Sequence, residues 1–305
     1  MRILFMGTPD IAAGCLAKLC DEGFDVAAAV CQPDKPKGRG HKVQPPEVKC
    51  EAEARGIPVY QPQSLKNGEL MPVLEQIQPE IIIVVAYGKI LPKYVLEYPK
   101  YGCVNMHASK LPKYRGAAPI QWAVINGEKE TAATAMLMDE GLDTGAILLE
   151  SALEIGEYET AEELFCRMTA AGGEVLCEAI RNIDKLTPKP QSGEATYAPM
   201  IKKEMAHIDW SMSADNISKL ICGMNSWPLA YTFYRDEAVK ILSAEKRGNT
   251  GGSCGEIISV SADGILVKAG SGSILIKSFR FPGKKTMTAG EYIKGNTITV
   301  GEKLT

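Results

Sequence analysis

The sequence lacks any long hydrophobic run. Its apolar stretches, such as residues 81–86, are far too short to cross a bilayer. Residues 2–7 are typical of an apolar strand. They show no charged segment, hydrophobic stretch and small-residue cleavage site in the order of a secretion signal. We therefore expect no secretion and no membrane insertion, and we predict a cytoplasmic protein.

Paired metal ligands are also missing. The nine cysteines are irregularly spaced and include no C-x-x-C, so neither a zinc site nor a disulfide framework is expected, and we predict no metal. Several cysteines lie in apolar stretches, where a free thiol packs as a small hydrophobic group. Histidine is scarce, with only three in the chain: His41, His107 and His207.

The glycine fingerprint G-x-G-x-x-G of dinucleotide-binding proteins is absent. Gly7, Thr8 and Pro9 follow the first predicted strand, but the later glycine is missing and a proline occupies the turn. A tight strand-to-helix turn is preferred over a nicotinamide site. We expect Thr8 to cap the helix and Pro9 to be its first residue.

The chain also lacks a strong excess of positive charge. Its net charge is −3, which excludes a protein that binds DNA by electrostatics alone. A nucleic-acid partner remains possible if local basic patches make the contacts.

Strand-like and helix-like segments alternate through the first half of the chain. Residues 80–86 are apolar and β-branched, as in a central parallel strand buried on both faces. Such alternation predicts an α/β domain with a Rossmann-like, mostly parallel sheet. Ligands of such sheets bind beyond the carboxyl ends of the strands.

The pattern changes near residue 187. Residues 187–197 are rich in Pro, Ser, Gly and Thr and are typical of a linker. About five short strands separated by turn residues follow within residues 230–279, which predicts a C-terminal OB-like β-barrel. We predict a catalytic domain over residues 1–187, a linker over 188–204 and the barrel domain over 205–305.

A polar pair ends one of the predicted strands. Asn105 and His107 are two residues apart, so both side chains lie on one face of the strand. The next strand is followed by a polar loop containing Asp143, which we expect at the same end of the sheet. The three residues form a candidate catalytic group.

The residue types define a chemistry. An asparagine amide and an imidazole can stabilise an oxyanion on a carbonyl attacked by an amine, and a carboxylate favours the imidazolium and fixes its tautomer. No serine or cysteine is placed as a nucleophile, so direct transfer is simpler than an acyl-enzyme. From spacing alone, a structural histidine and a turn-forming aspartate are the more common readings of these residues.

The residues around this pair resemble a known family. Residues 105–116, NMHASKLPKYRG, are similar to the N-x-H…S-L-L-P-x-Y-R-G signature of folate-dependent formyltransferases, and Asp143 matches the family's catalytic aspartate. The opening FMGTPD, the loop QPDKPKGRG and the segments IDWS and NSWP resemble the members that act on methionyl-tRNA. This resemblance covers essentially the whole chain.

The resemblance implies a formyl donor, 10-formyltetrahydrofolate, and an acceptor, the α-amino group of methionine on initiator tRNA. It implies that Asn105 and His107 bind the formyl oxygen and that Asp143 orients His107 and helps to move protons. It further implies folate contacts from Ser109, Lys110, Leu111 and Pro112. A second set of residues lies at a strand end, and this position predicts that they line the pterin pocket: Val84, Val85, Ala86, Tyr87 and Gly88.

A basic loop follows the second strand. Its positive residues are Lys35, Lys37, Arg39 and Lys42. Such a run is usually a solvated loop, but the resemblance implies that this one enters the acceptor arm of the tRNA, with Arg39 as the key residue.

Two positions depart from the family pattern. Ala108 stands where Gly or Pro is common, and Lys110 stands where Leu is usual, which leaves the local folate packing open. Other acceptors also remain open: glycinamide ribonucleotide, a sugar amine or water, as does a non-catalytic RNA-binding protein. We expect a monomer.

Overall fold

The computed structural model describes residues 1–37 and 42–305. Their contacts divide the chain into two compact units. Unit 1 comprises Met1–Gly116, Glu130–Leu153 and Phe165–Ala198, and unit 2 comprises Ala117–Lys129, Glu154–Leu164 and Pro199–Thr305. Two short segments, Ala117–Lys129 and Glu154–Leu164, therefore belong to the second unit although they precede its main part in the sequence.

Unit 1 is built on a mostly parallel sheet. Within the described residues its seven strands lie in the order β10-β9-β7-β6-β1-β2-β5. These strands are β1 Arg2–Gly7, β2 Asp25–Val30, β5 Val59–Tyr60, β6 Ile81–Val85, β7 Cys103–His107, β9 Glu130–Leu137 and β10 Ile147–Glu154. Strand β6 is buried throughout, as its unbroken β-branched sequence predicts.

Further short strand pairs and helices lie within residues 1–198. The small pairs are β3 Lys35–Lys37 with β4 Lys42–Gln44, and β8 Arg115–Gly116 with β11 Tyr197–Ala198. The helices are α1 Asp10–Asp21, α2 Glu47–Ala54, α3 Met71–Ile77, α4 Lys93–Leu96, α5 Pro119–Ile125 and α6 Ala161–Arg181. Helix α1 buries Ile11, Cys15 and Leu19, one residue every four, so one apolar stripe packs inward.

Unit 2 contains an antiparallel sheet that curls into a half-barrel. Its path is β12-β13-β16-β15-β14, with β17 paired to β16. The elements are α7 Ala214–Gly223, β12 Tyr231–Tyr234, β13 Glu237–Arg247, β14 Ile257–Ser261, β15 Gly264–Lys268, β16 Ser273–Arg280, β17 Met287–Thr288 and α8 Ala289–Tyr292. The predicted fold, a Rossmann-like sheet followed by an OB-like barrel, is confirmed.

The end of the barrel sequence connects the two edge strands of this sheet. Thr305 exchanges two backbone hydrogen bonds with Phe233 of β12, at 2.7 and 3.0 Å, while Ile257 of β14 donates to the Glu302 carbonyl at 2.9 Å. Leu304 lies between them and is buried in the barrel core. Residues 302–305 therefore pair with part of each edge strand.

The N-terminal turn differs from its prediction. Helix α1 begins at Asp10, and Pro9 occupies the capping position without a side-chain hydrogen bond. The hydroxyl of Thr8 donates instead to the Tyr87 carbonyl at 3.0 Å. The expectation that Thr8 caps the helix is therefore wrong, because a neighbouring strand end supplies its partner.

Candidate active site

Strand β7 carries the predicted polar pair on its buried length. Asn105 lies beside Val84 of β6 and Met136 of β9, and His107 lies beside Thr134. Asn105 is 8% exposed and His107 is 6% exposed. Among the described residues the Asn105 amide has no hydrogen-bond partner, and its polar atoms are not among those sealed from solvent. This buried amide is therefore available to a ligand.

The imidazole of His107 has one fixed contact. Its Nε2 lies 2.9 Å from the Tyr114 carbonyl, which can only accept, so Nε2 carries a proton. The Nδ1 atom lies 3.7 Å from Oδ2 of Asp143. We expected the aspartate to fix the tautomer. The backbone carbonyl does so instead, and Nδ1 is left for the aspartate and a ligand.

Asp143 approaches His107 by an unexpected route. Strand β9 is antiparallel to β7, and Met138 donates to the Cys103 carbonyl at 2.8 Å, at the amino end of β7. The expectation that the aspartate loop begins at the His107 end of the sheet is therefore wrong. The loop turns back, and Asp143 reaches the histidine through the loop's own shape.

The carboxylate of Asp143 is oriented by backbone. Its Oδ2 accepts a hydrogen bond from the Gly116 amide at 2.8 Å. Asp143 itself has φ = 51°, a left-handed conformation that is unusual outside glycine. Gly145 is required for the return of the loop, since a Cβ there would lie 1.6 Å from the Leu137 carbonyl oxygen.

The segment after His107 is tied to the sheet. Ser109 is fully buried, its hydroxyl donates to the Lys113 carbonyl at 2.6 Å, and its own carbonyl accepts from Thr134 at 2.7 Å. Leu111 is also buried. Lys110 is exposed and forms an ion pair with Glu130, which raises the pKa of Lys110 and lowers that of Glu130.

A second loop follows the end of β6. Ala86 and Gly88 both have left-handed backbone conformations, at φ = 44° and 84°, and both are exposed, while Val84 and Val85 are buried. Tyr87 between them is buried, and its hydroxyl has no partner in the part of the chain that the structure describes. Burial raises the pKa of this phenol.

The described residues of the basic loop pair as the two strands of a short hairpin. Lys35 pairs with Gln44, and Lys37 pairs with Lys42. Arg39 lies outside the described residues, so its predicted role has no structural account. At the hairpin base, Asp34 accepts hydrogen bonds from Gln61 at 2.7 Å and from Lys49 at 2.9 and 3.0 Å, and these contacts lower the pKa of Asp34.

Neither a metal-binding cluster nor a membrane-spanning helix is present in the described residues. Among residues 1–37 and 42–305, no group of three or more His, Cys, Asp or Glu side chains is arranged to hold a metal ion. Over the same ranges, no helix combines the length and the apolar character needed to span a membrane.

The family of the chain follows from its sequence. Residues 1–180 match the family described as "Formyl transferase", and residues 200–297 match "Formyl transferase, C-terminal domain". The chain belongs to the formyl transferase family, a family of group-transferring enzymes.

Full-length relatives within that family are methionyl-tRNA formyltransferases. One from Clostridioides difficile (strain 630) is 47% identical over 99% of both chains. Another, from Clostridium perfringens (strain SM101 / Type A), is 48% identical over the whole of both chains. The similarity thus includes both units.

Solved structures share the fold at lower identity. The methionyl-tRNA formyltransferase from Clostridium thermocellum aligns with a TM-score of 0.57 and 22% identity, covering 80% of this chain and 93% of that one. HypX from Aquifex aeolicus, solved with tetrahydrofolic acid, gives a TM-score of 0.66 and 17% identity, covering 99% of this chain and 50% of that one. At these identities the likeness concerns the fold alone.

One contact of the site has no signal in the sequence pattern. Gln191 lies in the stretch that composition assigned to a linker, yet its amide binds the loop that carries Asp143. Glutamine is ordinary in a polar loop, so no spacing or residue type pointed to it.

Proposed function

We propose that this chain transfers a formyl group from 10-formyltetrahydrofolate to the α-amino group of methionine on initiator methionyl-tRNA, for translation initiation. The observation that carries the proposal is the buried amide of Asn105, which has no hydrogen-bond partner among residues 1–37 and 42–305, on the same strand as His107, with Asp143 beside the histidine. The full-length relatives named methionyl-tRNA formyltransferase supply the choice of acceptor.

In the proposed reaction the methionine amine attacks the formyl carbon. A bond forms between that nitrogen and the carbon, the bond from the carbon to the folate nitrogen breaks, and one proton passes from the amine to the leaving nitrogen. Negative charge develops on the formyl oxygen, where the amide N–H of Asn105 and the protonated Nδ1 of His107 donate to it. Asp143 balances the charge of the imidazolium and assists the proton transfer.

The folate contacts are also proposals. The exposed backbone at Ala86 and Gly88 offers amide and carbonyl groups to a pterin ring, and the buried residues Val84, Val85 and Tyr87 line the apolar side. Ser109, Leu111 and Pro112 form the second wall, with Lys110 at its exposed rim.

The tRNA contacts rest on charge and on relatives. We assign Lys35, Lys37, Arg39 and Lys42 to phosphates of the acceptor arm, because lysine and arginine neutralise phosphate charge. We also propose that residues 1–187 form the catalytic domain, residues 188–204 the linker and residues 205–305 the β-barrel domain that binds tRNA. A monomer that works in the cytoplasm, where charged tRNA is used, completes the proposal.

The deciding experiment compares acceptors. The purified protein is incubated with radiolabelled 10-formyltetrahydrofolate and one of three acceptors: initiator methionyl-tRNA, an amino sugar nucleotide or water. Formylmethionyl-tRNA should form at a rate at least 100-fold above the other products. Absence of product from charged initiator tRNA refutes the proposal, and product from the amino sugar alone would assign the chain to a different acceptor.

A further inference from the structure

The segment that carries Gln191 is held at both ends. On one side, Lys189 exchanges two backbone hydrogen bonds with Ile147, both at 2.8 Å. On the other, Tyr197 and Ala198 form strand β11 beside β8, and the Thr196 carbonyl accepts from the Arg115 amide at 2.9 Å. Gln191 is thus presented from a fixed stretch of backbone within unit 1.

The side-chain amide of Gln191 uses both of its N–H donors on one loop. Its Nε2 donates to the Asp143 carbonyl at 2.8 Å and to the Gly145 carbonyl at 2.9 Å. Its Oε1 accepts from the Arg115 guanidinium, from Nε at 3.2 Å and from Nη2 at 2.6 Å. The reverse orientation of the amide would face donors with donors and acceptors with acceptors, so only this orientation fits.

These bonds act on a residue that needs external support. Asp143 is left-handed without being glycine, a conformation that persists only when its surroundings hold it. The Gly116 amide orients the carboxylate, and Gln191 binds the main chain on which that carboxylate is mounted. The carboxylate and the backbone of the same residue therefore each have a separate donor.

We infer that Gln191 is a positioning residue of the active site, which holds Asp143 beside His107 while Arg115 fixes the orientation of the Gln191 amide. The inference rests on the proposed function for its kinetic consequence. Gln191 has no contact with the reacting groups in this role, and its effect passes through the loop that it binds.

The substitution Gln191→Glu separates the two ends of the amide. A glutamate has the same shape and still accepts from Arg115, but it cannot donate to the two loop carbonyls. We expect kcat for formyl transfer to fall about 10- to 100-fold, as for small misplacements of catalytic groups. The KM for the folate donor should change less than twofold, and the melting temperature should stay within a few degrees.

Gln63→Glu is the matched control. Gln63 is exposed in unit 1, and its side-chain amide has no partner among the described residues, so the same change of charge should leave kcat unaltered. A Gln191→Glu variant with kcat within twofold of the parent overturns the inference. A decrease in kcat that is accompanied by a higher KM for folate and a lower melting temperature also overturns the inference, because it would indicate a purely structural role.

The Asp143→Asn background tests whether the effect passes through Asp143. If Gln191 acts through that carboxylate, adding Gln191→Glu to Asp143→Asn should lower the residual rate less than twofold, since residues that act as a unit are non-additive. An undiminished further loss would overturn the inference.

A second measurement does not depend on catalysis. Hydrogen–deuterium exchange of residues 139–145 should be faster in Gln191→Glu than in the parent and unchanged in Gln63→Glu. Equal exchange in all three proteins overturns the inference whether or not the protein formylates methionyl-tRNA. An inactive parent protein with faster exchange in Gln191→Glu would refute the proposed function and leave the positioning of the loop standing.

Discussion

At the scale of single residues, chemistry and contact are separate pieces of information. The sequence predicts that Asn105 and His107 share one face of a strand, because side chains in a strand alternate with a period of two. Both side chains are buried on β7. The hydrogen-bond partners of His107 could not be predicted from the sequence. The Tyr114 carbonyl that fixes the tautomer is a backbone atom, and any residue type would supply it.

The Asn105 amide gives a prediction at this scale. Replacing it in Asn105→Ala removes a donor to the developing oxyanion, and we expect kcat to fall roughly 100-fold or more, equivalent to about 2.7 kcal/mol of transition-state stabilisation. Steady-state formylation of methionyl-tRNA measures the loss.

The control for this substitution is Asn182→Ala, one residue beyond the end of α6, where the side-chain amide donates to the Glu178 carbonyl; this variant should retain full activity. A decrease of less than about threefold in Asn105→Ala would rule out an oxyanion contact for this amide.

At the scale of elements, the loop between β9 and β10 determines whether the site assembles. Strand β9, which precedes this loop, is antiparallel to β7. Asp143 therefore reaches His107 only because the loop turns back tightly, and Gly145 in that turn passes close to the Leu137 carbonyl. Hydrogen bonds hold this turn, and they include one from Gln191, which is distant in the sequence. A periodic pattern of apolar residues does not reveal such bonds.

Gly145→Ala tests the return directly. A Cβ at this position would lie 1.6 Å from the Leu137 carbonyl oxygen, so the backbone must move. We expect kcat to fall by about 100-fold as Asp143 is displaced, with folate affinity kept, because the displaced loop is not the proposed folate wall. Stopped-flow or steady-state formylation, together with equilibrium folate binding, measures the two effects.

Gly193→Ala provides a partial comparison, because that glycine is also in a polar loop but has open space around its Cβ position. Gly193 has φ = 100°, a conformation that strains the backbone of an alanine. We therefore expect Gly193→Ala to lower the stability slightly without lowering kcat. Equal kcat for Gly145→Ala and the parent would show that the loop tolerates the displacement.

At the scale of the whole molecule, the proposed function divides donor and acceptor recognition between different segments. The folate contacts are assigned to the ends of β6 and β7, whereas the tRNA contacts are assigned to the hairpin formed by β3 and β4. The base of that hairpin is anchored through Asp34 to Lys49 and Gln61. The two kinds of recognition should therefore be separable by substitution.

The variant Arg39→Ala tests this separation. We expect the KM for methionyl-tRNA to rise or turnover of tRNA to fall about tenfold, while folate binding is unchanged, because a phosphate contact is lost. The dependence of tRNA binding on salt should also become weaker by about one counterion.

Lys93→Ala removes the same charge from an exposed position on α4 and serves as the control for Arg39→Ala. If Arg39→Ala weakens folate binding as much as it weakens tRNA turnover, the loop shapes the folate pocket instead.

By itself, the sequence determined the fold class and pointed to the residues that we propose as catalytic. Periodicity distinguishes strands from helices because it reports which faces are buried, and the motif around His107 is local in the chain. The sequence did not predict that residues 117–129 belong to unit 2. An apolar helix face shows that the helix is packed, but it does not show which surface the helix packs against.

Tertiary structure alone decided how the site is held. The direction of β9, the carbonyl facing His107 and the three contacts of Gln191 all join residues that are distant in sequence or use backbone atoms. Backbone hydrogen bonds leave no mark on residue identity, and a polar side chain in a loop has many possible partners. The residues proposed as the catalytic group could therefore be named from the sequence, whereas the contacts that orient them could not.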